Sequence, residues 1–270
     1  MILVILAAGR GSRLKSQTVK IPKPLVQIKK KSLIEYNIDF MNKFKKVIIV
    51  TGYKGHLIRK KLSNKKILFI KNKNFNSTNM VYSLFCTFKY LKKFQKDVVV
   101  CYSDIIFDKS LFTSLKSKGT YLIVLKNWLK IWKLRMKMSL IKKDAEDLYS
   151  EKNFLLSIGQ KIKNKLPKYQ FSGIMKLRFY DIKKLYNFFN SLEDKKIDFT
   201  SFLNSALKII DQIKMIQNLK TSNDGIRGGV AGSYPIWGGY MPYAYPNWAT
   251  KFFSDALMYQ EEIMKDFEEK

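Results

Sequence analysis

The sequence predicts an α/β protein built on a mostly parallel, doubly wound (Rossmann-like) sheet. Three observations carry this. Short runs of β-branched and large apolar residues at 1–6 (MILVIL), 47–51 (VIIVT) and 97–103 (DVVVCYS) read as strands buried on both faces. Stretches of helical periodicity alternate with them at ordinary connection lengths, giving β-α-β-α-β-α-β. Small or polar residues follow each strand at its C-terminal end, the edge where open α/β sheets place ligands.

The first strand runs into Ala7-Ala8-Gly9-Arg10-Gly11-Ser12-Arg13-Leu14, and Pro22-Lys23-Pro24-Leu25 follows. Small residues let backbone N–H groups approach an anion and cradle phosphate. Arg13 and Lys23 add charge-assisted bonds to phosphate oxygens, and the flanking prolines stiffen the support of Lys23. The loop lacks the third glycine of a dinucleotide-binding turn and the Gly-Lys-Ser/Thr of an ATPase P-loop.

Residues 32–44 read as a helix opened by a Ser32/Glu35 capping box. After the second strand, Gly52-Tyr53-Lys54-Gly55 is a turn, and His56, the only histidine, reads as a solvated helix start or as a catalytic group. A third strand covers 66–70. The polar loop 72–79 leads into a helix over 80–93, with Asn79, Tyr82 and Ser83 in its first turn. This loop is either a turn with an Asx cap or a set of amides and hydroxyls facing a ligand. Asp104, just past the 97–103 strand, faces the same crevice as the glycine loop if the sheet is parallel. Beside a triphosphate it would hold Mg²⁺; otherwise it is an N-cap.

A strand at 120–126 is followed by Trp128, Trp132 and Arg135, which share a helical face, and by Asp144-Ala145-Glu146. These tryptophans are either a core stripe or an enclosure for a cationic or amide-bearing group. A strand at 169–177, helices at 180–189 and 199–210 and a strand at 213–217 complete the regular part. The domain expected at 1–220, with an acceptor-binding portion at about 127–178, gives way to an atypical extension at 221–270. Six of 13 glycines and three of 6 prolines fall between Gly225 and Pro246, so no continuous helix fits there. Its apolar surface calls for a cover: its own domain, a second copy, or a larger module.

The chain has 270 residues, is 46% hydrophobic and carries a formal charge of +30, spread along its length rather than gathered into an arm. That spread predicts no specific nucleic-acid partner, though a cationic face draws in nucleoside triphosphates. No apolar run approaches the ~20 residues of a membrane span, and the N-terminal run is too short for a signal peptide, so no membrane partner and a cytoplasmic location are expected. Cys86 and Cys101 fit buried thiols.

The strand, LAAGRGSRL and PKPLV together resemble the nucleotidyltransferase signature of the sugar-nucleotide pyrophosphorylase and cytidylyltransferase superfamily. NSTNMVYSL, YSDIIF, NWLKIWKLR, DAEDL and FSGIMKL, in that order, are similar to its small-acceptor branch, cytidylyltransferases that activate phosphocholine, 2-aminoethylphosphonate or phosphoglutamine. The resemblance covers roughly residues 1–216. It implies a nucleotide-diphospho-sugar transferase fold and CMP transfer from CTP to a small phospho-acceptor, with release of pyrophosphate, for capsule or surface-polysaccharide modification. The backbone of Leu6, Ala7, Ala8, Gly9 and Gly11, with Arg13 and Lys23, would hold the triphosphate; Arg13, Lys23 and Asp104 would be catalytic. Tyr53, Asn79 and Ser83 would lie near the nucleoside. Asn79, Trp128, Trp132, Arg135, Asp144, Glu146 and Lys176 would line the acceptor site. Asp104 would bind Mg²⁺, with Asp224 or Asp211 in place of the family's missing second acid. The alternatives are a sugar-1-phosphate nucleotidyltransferase using UTP or dTTP, and a non-catalytic nucleotide- or polyanion-binding protein.

Overall fold

The computed structural model describes residues 1–14, 17–108, 110–134, 136–152, 154–162 and 165–216. In order these form β1 (Ile2–Ala7), α1 (Gln17–Lys20), β2 (Gln27–Ile28), β3 (Lys31–Ser32), α2 (Leu33–Ile38), β4 (Lys46–Thr51), α3 (Gly55–Lys61) and β5 (Leu68–Lys71). Then come α4 (Met80–Phe85), α5 (Phe88–Phe94), β6 (Val98–Tyr102), α6 (Leu111–Leu115), β7 (Tyr121–Leu125), α7 (Trp128–Lys133) and α8 (Met138–Asp144). β8 (Glu146–Glu151), β9 (Phe154–Lys161), β10 (Gln170–Leu177), α9 (Phe179–Ser191) and α10 (Phe199–Ile216) follow.

The central sheet has six strands in the order β5-β4-β1-β6-β10-β7. β5, β4, β1 and β6 are parallel, with Leu6 level with Val50 and Tyr102. β10 inserts antiparallel between β6 and β7, with Ile174 opposite Cys101 and Lys176 opposite Val99. Every residue of β1 is buried, the consequence of a parallel strand covered on both faces. One core layer packs Leu3, Ile5, Ile49 and Val99 against Ile34, Ile38, Ile58 and Leu62 of the helical layer.

Two expected helices are shorter than their periodicity. The Ser32/Glu35 capping box forms, but α2 ends at Ile38 and the chain re-enters as a 3-10 turn at Met41–Lys43. The 80–93 helix splits into α4 and α5 around Cys86 and Thr87, where the Thr87 hydroxyl donates to the Leu84 carbonyl at 2.6 Å. Hydroxyl-to-backbone bonding of this kind competes with the helical ladder. The strand expected at 213–217 is corrected: the backbone remains helical in α10 to Ile216, extending the amphipathic pattern begun at Phe199.

Among the described residues the chain divides into two compact units, Met1–Tyr149 with Ile158–Phe202, and Ser150–Ser157 with 203–216. The first contains the whole central sheet. The expected extension 221–270, including Asp224, lies outside the described residues.

Candidate active site

The parallel strands β1, β4 and β6 end together, so their following loops share one edge of the sheet. The loop after β1 is open: Gly9 has nothing within 4 Å of the place a Cβ would occupy. The N–H groups of Gly9, Arg10 and Gly11 donate to no other group of the described chain, the condition for a backbone anion cradle. Leu6, Ala7 and Ala8 are buried beneath, so their contribution is the backbone alone.

Gly11 is required twice over. Its φ is +68°, and a Cβ there would sit 2.6 Å from the Lys23 Cβ. The loop therefore packs directly on the stem of Lys23. That lysine lies in the 3-10 turn Lys23–Leu25, entered through extended Pro22. Its ammonium donates to the Asp104 carboxylate, and both side chains stay about one-third exposed, at 30% and 34%. Lys23 and Asp104 are 81 positions apart in the chain, and the parallel register of β1 and β6 brings them to one mouth.

On the β4 side, Tyr53 donates its backbone N–H to the Ala8 carbonyl at 2.9 Å. Its hydroxyl reaches the Thr18 and Val19 carbonyls at 3.3 and 3.2 Å, and Arg10 lies over its ring, 5.8 Å from the centroid. Arg10 in turn donates to the Asn76 side chain at 3.0 Å. Tyr53 thus holds the segment between the glycine loop and Lys23 in place.

The 72–79 loop is largely occupied with its own geometry. Asn72 accepts from the Asn74 N–H at 2.9 Å and donates to Ser83 Oγ at 2.9 Å. Asn79 accepts from the Met80 N–H at 2.8 Å. Ser83 is only 4% exposed, so it braces this loop rather than facing a ligand; Asn79, half-buried, caps α4.

The acceptor residues read from the sequence separate into three groups. Trp128 is 2% exposed, donates its indole N–H to the Pro167 carbonyl at 3.1 Å, and packs with Ile141 and Ala145. Trp132 meets it edge-on with centroids 5.2 Å apart. The pair is the core of a small helical lobe, which corrects the enclosure reading for Trp128. Lys176 is corrected more sharply. Opposite Val99 it lies near the N-terminal end of β6, away from Asp104. There its ammonium is buried, donating to the Ser117 carbonyl at 2.5 Å and pairing with Asp97 at 3.5 Å.

Glu146 opens β8, and its backbone carbonyl accepts from the Gln170 side chain at 2.5 Å. The Tyr102 phenol is raised above its ordinary value, by burial first and then by the negative charge of Glu146, Asp198 and Asp104. Asp144 is exposed at the end of α8. The Arg13 and Asp211 side chains, Arg135 and Asp224 lie outside what is described.

Tyr102, at the end of β6 two residues before Asp104, meets the Phe171 ring edge-on at 5.9 Å. They come together at a register shift in β10 between Phe171 and Met175. Gly173 there has φ +84°, and a Cβ on it would fall 2.8 Å from the Tyr102 ring. In the sequence, Tyr102 was one residue of a buried strand, and only its place before Asp104 marked it.

Comparison with known proteins agrees with this geometry. Residues 3–125 match the MobA-like NTP transferase domain. A CTP:phosphoglutamine cytidylyltransferase of Campylobacter jejuni is 27% identical over 236 residues, 80% of this chain and 92% of its own. A choline-phosphate cytidylyltransferase of Streptococcus pneumoniae is 31% identical over 126 residues, 46% of this chain and 53% of its own. Among solved structures, an inositol-1-phosphate CTP transferase from T. maritima superposes with a TM-score of 0.60 at 22% identity, covering 77% of this chain and 81% of that one. At that identity the likeness speaks for the fold, which is the nucleotide-diphospho-sugar transferase type. The chain thus carries a segment that matches the MobA-like NTP transferase domain and, over most of its length, is similar to a cytidylyltransferase.

Proposed function

We propose that the protein transfers CMP from CTP to a small phosphorylated or phosphonate acceptor, releasing pyrophosphate. The observation that carries this is the Lys23–Asp104 pair at the mouth of the glycine loop, in a chain similar over most of its length to a CTP:phosphoglutamine cytidylyltransferase. An ionised acceptor oxygen attacks the α-phosphorus of CTP in line, and the bond from that phosphorus to the β-phosphate oxygen breaks. The nucleophile is already deprotonated near neutral pH, so the work left to the chain is positioning and charge neutralisation. The N–H groups of Gly9 to Gly11 and the Lys23 ammonium receive triphosphate oxygens; Arg13 is assigned to the same task. Glu146, whose negative charge acts on Tyr102, is assigned to an amine or amide on the acceptor.

Asp104 fits a divalent cation as a single, part-exposed carboxylate at the mouth. Among the described residues no three His, Cys, Asp or Glu gather around a metal position. A hard ion held by one carboxylate and completed by phosphate oxygens and water matches that donor set. Mg²⁺ bound there would neutralise charge on the transferring phosphate. The reading extends to a cytoplasmic enzyme serving surface-polysaccharide modification. Among the described residues, no helix is long and apolar enough to cross a membrane.

The test is pyrophosphate release across the four nucleoside triphosphates with a panel of small phospho-compounds. CTP with phosphocholine, 2-aminoethylphosphonate or phosphoglutamine is expected to give turnover. Turnover only with UTP or dTTP and a sugar phosphate, or none with any pair, contradicts the proposal.

A further inference from the structure

The lobe built on Trp128 has an outer face that the proposed reaction does not use. Trp128 and Ile141 point into its core. Around that core Ile131 of α7, Leu134 at its C-cap and Leu140 of α8 stay in solvent. These are 50%, 84% and 52% exposed, and Leu134 is the most exposed large apolar side chain among the described residues. Met138, at 37%, lies at the start of α8.

The charges of the same segment are one-sided. Between Lys126 and Lys143 there are seven Lys or Arg and no Asp or Glu, and the run stops abruptly at Asp144. Lys130, one turn before Leu134, and Lys143, one turn after Leu140, share their faces, and Lys133 and Lys142 are exposed as well. Exposed leucines set among lysines are poorly suited to water alone. A nucleic acid would use the cations but gain nothing from the leucines. A surface offering fixed negative charge above an apolar layer uses both.

We propose that the α7–α8 face docks on an anionic lipid surface, with Leu134 and Leu140 entering the headgroup–acyl boundary and the surrounding lysines meeting lipid phosphates. The proposal does not depend on which substrate the active site takes.

The experiment is flotation of the full chain with vesicles of phosphatidylglycerol and phosphatidylcholine, against vesicles of phosphatidylcholine alone. The protein should float with the anionic vesicles and not with the neutral ones. The double variant Leu134→Glu, Leu140→Glu should lose binding by ~10-fold or more, from lost apolar insertion and added negative charge. The uncharged pair Leu134→Gln, Leu140→Gln should lose less, but measurably. Both pairs alter exposed positions and should keep the melting temperature and pyrophosphate release of the parent. Absence of binding to anionic vesicles overturns the proposal. So does binding that the Gln pair leaves unchanged and RNA displaces, since the chain's general charge would then account for it. A fall in oligomeric size of the Gln pair without lipid also overturns it, by showing that the face is covered by a second copy.

Discussion

The mouth of the glycine loop and the tryptophan lobe both combine cations with aromatic rings, yet they are built in opposite ways. At the mouth each cation has a polar partner: Lys23 meets Asp104, and Arg10 meets the Asn76 amide beside the face of Tyr53. In the lobe the rings turn inward and the charges outward: Trp128 is buried with Ile141, while Lys130, Lys133, Lys142 and Lys143 face solvent. Chemistry needs charge held in a chosen place by neighbours, which the first arrangement supplies. A Trp and Lys stripe on a short helix is first a way to make a core and keep it wet outside.

Substitutions can break this contrast. Trp128→Ala should be the most damaging to the fold, costing about 3–5 kcal/mol, because it empties a filled site and orphans the Pro167 carbonyl. Thermal melting should record the loss, and the KM values for CTP and acceptor should rise together or not at all. A stable Trp128→Ala protein with a defect confined to the acceptor would reverse the assignment of the lobe.

Lys23→Ala should act in the other direction, lowering kcat by ~10²-fold while the melting temperature stays near that of the parent. Steady-state kinetics beside a melt on the same sample separates the two. Gly11→Ala sharpens the picture of the loop. It strains a residue at φ +68° and pushes on the Lys23 stem, so a stability loss of about 1–2 kcal/mol should accompany a drop in turnover smaller than that of Lys23→Ala. Lys176→Met should have the smallest effect. Removing a buried ammonium from Asp97 and the Ser117 carbonyl should cost about 1–2 kcal/mol in a melt and leave the acceptor KM unchanged.

Much of this was legible in the chain. Strands buried on both faces announce themselves as unbroken apolar runs, which is why β1, β4 and β6 fall within a residue or so of their expected limits. Their common direction brings Asp104 beside Lys23, so the heart of the site followed from the fold class. Lys176 was not legible, because the direction of β10 decides which end of the sheet it reaches, and β10 runs antiparallel to its neighbours. Ser83 and Asn79 looked polar and available in the sequence, but the bonds they make to Asn72 and the start of α4 appear only once the loop is folded. Tyr102 and Phe171 are joined by a bulge at Gly173, and one glycine in an apolar strand is a faint sign of such a bend.

The central claim is that Asp104, at the tip of β6, carries the divalent cation for cytidylyl transfer. It is tested most directly by Asp104→Asn, which keeps the side-chain shape and removes its charge. Pyrophosphate release from CTP with a competent acceptor, titrated with Mg²⁺, should fall by ~10²-fold or more in the variant at a concentration that saturates the parent, with an unchanged melting temperature. A variant with the parent's Mg²⁺ dependence and turnover would contradict the account.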